Sequence, residues 1–174
     1  GVSSAASDVY KRQDLEHQLG TYSEKKRLKG FRHIVQGERD PAFMNRPEFM
    51  QGIRTLHRFG YTYDILIYQH QLPMAVEFVS HCPEMPLVVD HIAKPLIKVG
   101  EWEAWASGMR KLAEHPNVCC KISGMVTEAD WHHWKPEDFM RYLEVATEAF
   151  GPGRLMYGSD WPVCLVAASY QQQY

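Results

Sequence analysis

Short apolar runs recur along the chain at residues 31–36, 63–68, 87–90, 118–122 and 155–158, and each ends in polar residues. Continuous apolar runs of this length, bounded by glycine and proline, are the pattern of strands buried on both faces. Between them the period lengthens to that of a helix. Phe49, Ile53 and Leu56 follow Pro47; Ala75, Val76, Phe78 and Val79 follow Pro73; Trp102, Trp105, Met109 and Leu112 form one stripe; Pro136 opens a stretch that runs to Phe150. A charged helix is predicted over residues 14–29, ended by Gly30, and a last helix begins near Val166. Strands alternating with helices predict an α/β fold with a parallel sheet, either an open doubly wound sheet or part of a (β/α)8 barrel.

The first residues do not fit this pattern. Ser3, Ser4, Ala5, Ala6 and Ser7 are small and aperiodic, and residues 8–13 resemble a translated sequencing adapter. Residues 1–13 are therefore expected to be a non-native, disordered leader, with residues 14–174 as one domain.

Composition narrows the classes. The chain has 174 residues, 45% of them hydrophobic, enough for one packed core, and a net charge of -2. That charge gives no footprint for nucleic acid or an anionic membrane surface. No apolar run approaches the roughly 20 residues that span a bilayer. Cys82, Cys119, Cys120 and Cys164 lack a CxxC spacing, so reduced thiols in a cytoplasmic protein are expected rather than a disulfide frame or a zinc–thiolate site. GxGxxG, GxxxxGK[ST] and GxSxG are absent, which disfavours nucleotide folds and the serine-hydrolase elbow.

In a parallel sheet the C-terminal strand ends share one rim, where α/β folds place their chemistry. The polar residues there are Arg32 and His33; Tyr68, Gln69 and His70; Asp90, His91 and Lys94; Lys121 and Ser123; and Ser159 and Asp160. Asp160 admits two readings, a cap or Asx turn for the next segment or a general base that takes a proton from water. Imidazole and cations opposite a carboxylate suit hydrolysis, holding the substrate and steadying an oxyanion. A divalent metal could lower the pKa of that water, but no HxH or HExxH pair is present, so these residues alone do not assemble a complete metal site. His132 and His133, flanked by Trp131 and Trp134, read as a solvated or lid segment.

Six motifs stand in order: Gly30-Phe31-Arg32-His33-Ile34-Val35-Gln36, Arg46-Pro47-Glu48-Phe49, Gln71-Leu72-Pro73, Val89-Asp90-His91-Ile92-Ala93-Lys94-Pro95, Cys120-Lys121-Ile122-Ser123-Gly124 and Gly158-Ser159-Asp160-Trp161-Pro162. On these the chain resembles the amidohydrolase-2 family, metal-dependent TIM-barrel hydrolases that include L-fuconolactonase-like sugar lactonases. The resemblance implies a distorted (β/α)8 barrel with its site at the C-terminal rim. The five strands would match the fourth to eighth, with the first three and their HxH pair missing, so that the chain is a C-terminal fragment. It implies that His91 is a metal ligand or active-site imidazole. Asp160 is implied to be the general base and a second donor to the metal. Arg32, Lys94 and Lys121 would contact substrate, with His33, Tyr68 and Trp161 as further contacts. The implied cofactor is a divalent metal, zinc first, in the full-length parent, with none required in the fragment. The implied partner is a small-molecule sugar lactone, without nucleic acid or membrane, and the oligomeric state stays open. The fragment itself would be inactive and aggregation-prone. Two alternatives are an amidohydrolase-type decarboxylase of an aromatic acid and a truncated, non-catalytic polypeptide.

Overall fold

The computed structural model describes residues 3–6 and 15–173. Its strands are β1 (Ser3–Ala6), β2 (Leu28–Ile34), β3 (Thr62–Leu66), β4 (Leu87–Val89), β5 (Val118–Ile122) and β6 (Leu155–Tyr157). They form one sheet in sequence order, every neighbouring pair parallel. The helices are α1 (Leu15–Tyr22), α2 (Pro47–Arg58), α3 (Leu72–Ser80), α4 (Glu103–Ala113), α5 (Met125–Glu128) and α6 (Glu137–Phe150). This is the wall of a (β/α)8-type barrel, with crossover helices between parallel strands.

Three expectations need correction. Ser3–Ala6, expected to stay outside the fold, is a strand paired with β2; the rest of the expected leader lies outside the described residues. The helix expected over residues 14–29 ends at Tyr22, and β2 starts at Leu28. The expected last helix is replaced by two short 3-10 turns, Val163–Val166 and Gln171–Gln173. Among the described residues no helix is long and apolar enough to cross a membrane.

The helices follow from ordinary sequence signals. Pro47 stands at the start of α2 with Glu48 in its first turn and His57 and Arg58 in its last, which complements the helix dipole. Its buried stripe is Phe49, Met50, Ile53 and Leu56. Gly108 on α4 lets α3 approach, since a Cβ there would lie 3.0 Å from the Leu72 side chain. Arg154 donates to the carbonyls of Ala113, His115, Val118, Ala149 and Phe150, closing the ends of α4 and α6 beside β6.

Side chains alternate across the sheet. Phe31, Tyr63, Ile65, Val89 and Cys120 enter the core against the helices, where Phe49, Tyr63 and Phe78 meet at 5.7–6.0 Å between ring centroids. The opposite parity carries charge: Arg32 pairs in register with Asp64, and Lys121 lies two strands further on. One face of the sheet is therefore a dry core. The other is a polar inner wall leading to the rim.

Candidate active site

Four charged residues on that inner wall form one connected network. Arg32 Nη1 is 2.8 Å from Asp90 Oδ2. Lys121 Nζ lies 2.6 Å from Asp90 Oδ1 and 2.5 Å from Asp64 Oδ2. Asp90 is fully buried and Asp64 nearly so; without these cations such carboxylates would not stay charged. Burial, and then the charge of Asp90, push the Asp64 carboxyl above its ordinary pKa even with Lys121 beside it. Burial pulls the Lys121 ammonium down, but Asp90 and Asp64 outweigh it and hold its pKa above the usual lysine value. Sequence reasoning missed Asp64. Its signal was available: it is the one charged residue in β3, with the same parity as Arg32.

The backbone after β4 is unusual. His91, Ile92, Ala93 and Lys94 all have positive φ, from 44° to 57°, and none is glycine. A left-handed turn costs an L-residue roughly 1–2 kcal/mol, so the surroundings must hold it. Ile92 and Ala93 are fully buried, and the buried Trp105 donates its indole N–H to the Ile92 carbonyl at 2.6 Å. Strain of this kind, fixed by packing, gathers at functional sites. Here it turns His91 back over the strand ends.

His91 faces Asp160, with Nε2 3.6 Å from Asp160 Oδ1, and both side chains are only 14% exposed. Its other nitrogen, Nδ1, is 2.8 Å from the Ser123 hydroxyl. Burial lowers the imidazole pKa against the opposing pull of Asp160. Asp160 itself has a φ of 57°. Its carboxylate does not cap the following 3-10 turn; the local side-chain bond there comes from Ser159, whose hydroxyl accepts from the Trp161 N–H at 3.3 Å. The carboxylate is thus left for His91.

The remaining expected contacts are spread out. Lys94 pairs with Glu128 at 2.6 Å. With Tyr68 it lines a cleft of about 860 Å3 between α3 and α4, and Tyr68 stacks on His70 with centroids 6.0 Å apart. Trp161 is exposed. His33 lies apart from all of these. It has the parity of Phe31, so it points into the helix layer, stacks on Phe43 at 5.1 Å and bonds Glu38 at 2.8 Å. The structure corrects its expected place at the rim. His132 and His133 are exposed, beside Asp130. All four cysteines are unpaired. Among the described residues no three His, Cys, Asp or Glu side chains gather as a metal site. His91 and Asp160 offer two donors, which does not make a metal centre.

A wall of parallel strands backed by helices, with polar side chains gathered at the C-terminal strand ends, defines a class, the (β/α)8-barrel proteins. The comparisons narrow it: the amidohydrolase family profile matches residues 3–174, and the chain belongs to that family. An L-fucono-1,5-lactonase of Burkholderia multivorans is 42% identical over 156 residues, 84% of this chain and 53% of that protein. An L-fucono-1,5-lactonase of Burkholderia ambifaria is 33% identical over 163 residues, 92% of this chain and 55% of that protein. A crystal structure of an amidohydrolase from Burkholderia multivorans with bound zinc superposes with a TM-score of 0.90 at 37% identity, covering 99% of this chain and 62% of that one. The chain thus spans about half the length of the two lactonases.

Proposed function

We propose that this chain carries the water-activating end of a hydrolase that opens a sugar-acid lactone of the L-fucono-1,5-lactone type. The observation that carries the reading is the His91–Asp160 pair over the strand ends, in a chain 42% identical to a lactonase. Asp160 takes a proton from water as its oxygen adds to the ring carbonyl. Arg32 and Lys121 are partly exposed and put positive charge at the mouth where the oxyanion develops. The carbonyl then re-forms, the ring C–O bond breaks, and Asp160 returns the proton to the departing alkoxide. One water is consumed and one hydroxy acid results.

For the whole protein the proposal includes a divalent metal, zinc first because the structural relative holds it. His91 and Asp160 would be two of its donors, and the metal would polarise the carbonyl or water. The steps above do not pass through it, because the described residues do not complete a metal site. The proposed setting is the cytoplasm, where unpaired cysteines stay reduced. We further infer that the chain alone does not turn over. Among the described residues β6 has β5 as its single strand neighbour. Met156, Tyr157, Trp161, Val163, Leu165 and Val166 are exposed beside that edge, which invites self-association.

The test is acid release from L-fucono-1,5-lactone at constant pH, with this chain and with a protein of the relatives' full length. Lactone opening at neutral pH releases a proton, whereas decarboxylation of an aromatic acid consumes one and evolves CO2. The full-length protein is expected to exceed the spontaneous rate, and this chain is expected to elute as an aggregate without activity. Failure of the full-length protein on sugar-acid lactones overturns the substrate assignment. A soluble, active monomer of this chain overturns the statement about the chain alone.

A further inference from the structure

The His91 imidazole sits in a seat made by the two residues after β5. On one side Nδ1 is 2.8 Å from the hydroxyl of Ser123, which is buried. On the other, Gly124 brings bare backbone against the ring. A Cβ there would lie 3.1 Å from Cβ, Cγ and Nδ1 of His91, and its φ of +66° already disfavours a side chain. A serine hydroxyl can donate or accept, so the Ser123 contact alone leaves the proton on either ring nitrogen. The far side of the ring decides between them. Nε2 stands 3.6 Å from Asp160 Oδ1. An Nε2–H facing a carboxylate would close to about 2.8 Å, whereas a bare nitrogen lone pair and a carboxylate oxygen stand off, as two acceptors do.

We infer that Ser123 accepts a hydrogen bond from Nδ1–H of His91 and so fixes the tautomer in which Nε2 is unprotonated and aimed at Asp160. Ser123 is then a positioning residue, and Gly124 supplies the room that the ring needs. The consequence for chemistry is direct. Nε2 and Oδ1 then face one another as two lone-pair groups, able to accept from a water at their side or to hold the proposed metal together, and His91 in this tautomer cannot give a proton to a water. An outer partner that sets the imidazole tautomer typically changes activity 10–100-fold when removed. At pH 8 an imidazole of ordinary pKa is neutral, so the ring has a single proton to place.

The inference rests on reading His91 and Asp160 as the reacting pair, but its test does not depend on turnover. A metal-free protein of the relatives' full length is labelled with 15N-histidine and long-range 1H–15N correlations are recorded at pH 8, the His91 signals being identified by their loss in His91→Gln. The expected result is a pyridine-type shift on the nitrogen that couples to both carbon-bound ring protons, which is Nε2. In Ser123→Ala, which removes only the oxygen, that shift moves toward the average of the two tautomers. A pyrrole-type Nε2 in the unaltered chain overturns the inference, and so does a pattern that Ser123→Ala leaves unchanged. If Ser123→Ala does not fold, Ser123→Cys, which fills the space with a poor acceptor, is read the same way. Absence of lactone hydrolysis would sink the proposed function and leave the tautomer result standing, so the two fail separately.

Discussion

Nε2 of His91 lies 3.6 Å from Oδ1 of Asp160, within ion-pair range and too far for a direct hydrogen bond. The two residues arrive from different strands, His91 by the left-handed turn after β4 and Asp160 by its own positive φ after β6. A pair that works as a unit is expected to fail as a unit. On the proposed reading, Asp160→Asn and His91→Asn in the full-length protein should each lower kcat for lactone opening by about 10²–10⁴, and the double variant should lose little more than the worse single one. Steady-state kinetics of the three variants check this; additive losses would show that the residues act separately.

Lys121 bridges two buried carboxylates, so removing it is costly. Lys121→Met should destabilise the full-length protein by about 3 kcal/mol, because Asp64 and Asp90 are left with less compensation. The sign with pH follows from Asp64, whose folded pKa is already above its ordinary value. A raised carboxyl pKa gives a contribution that is whole below the unfolded pKa and is lost as pH rises through the folded one. Removing Lys121 raises that pKa further. Urea denaturation should therefore show a deficit that is largest near pH 7.5 and shrinks toward pH 4.5. A deficit independent of pH would assign the loss to packing.

How much of this was legible in the sequence varies by element. Five of the strands were, because buried parallel strands read as unbroken apolar runs. The strand Ser3–Ala6 was not, since its two serines and two alanines carry no such signal. Helix α5 was hidden among the Trp and His residues that follow it. The rim residues after β4, β5 and β6 were legible from position alone. The misplaced His33 shows the limit of that reading: closeness to a strand end does not fix a face, and parity does, since Phe31 and His33 share one side while Arg32 takes the other. The left-handed turn from His91 to Lys94 was not legible, because no glycine marks it. Nor was Glu128 as the partner of Lys94, 34 residues away in sequence.

One indole bonds the left-handed turn from inside the core. Trp105 is fully buried and its N–H is the bond that the Ile92 carbonyl receives inside the core. Trp105→Phe keeps an aromatic ring but leaves that carbonyl unsatisfied, a loss of about 1–3 kcal/mol, with a further part from the smaller ring. The damage should be local to the turn. Amide hydrogen exchange at Ile92, Ala93 and Lys94 should speed up more than at β3 or α2. Uniform acceleration across the chain would mean that Trp105 supports the core and not the turn in particular.

Two buried thiols should be silent until the chain opens. Burial pushes the Cys82 thiol up to about 11, and it raises Cys120 well beyond the ordinary thiol range. The nucleophile in alkylation is the thiolate. At pH 8 a thiol of pKa 9 is about one-tenth ionised, whereas Cys82 in the fold is about one-thousandth ionised. Iodoacetamide at pH 8 should therefore leave both cysteines unmodified in the folded chain and label both in urea, as read by peptide mass spectrometry. The same shift has a stability consequence. A raised thiol pKa gives a contribution that is whole below about 9 and is lost as pH rises through about 11. Stability should fall across that window, and Cys82→Ala should flatten that part of the curve. Rapid labelling of Cys82 at pH 8 under native conditions would show that the segment before Pro83 opens without global unfolding.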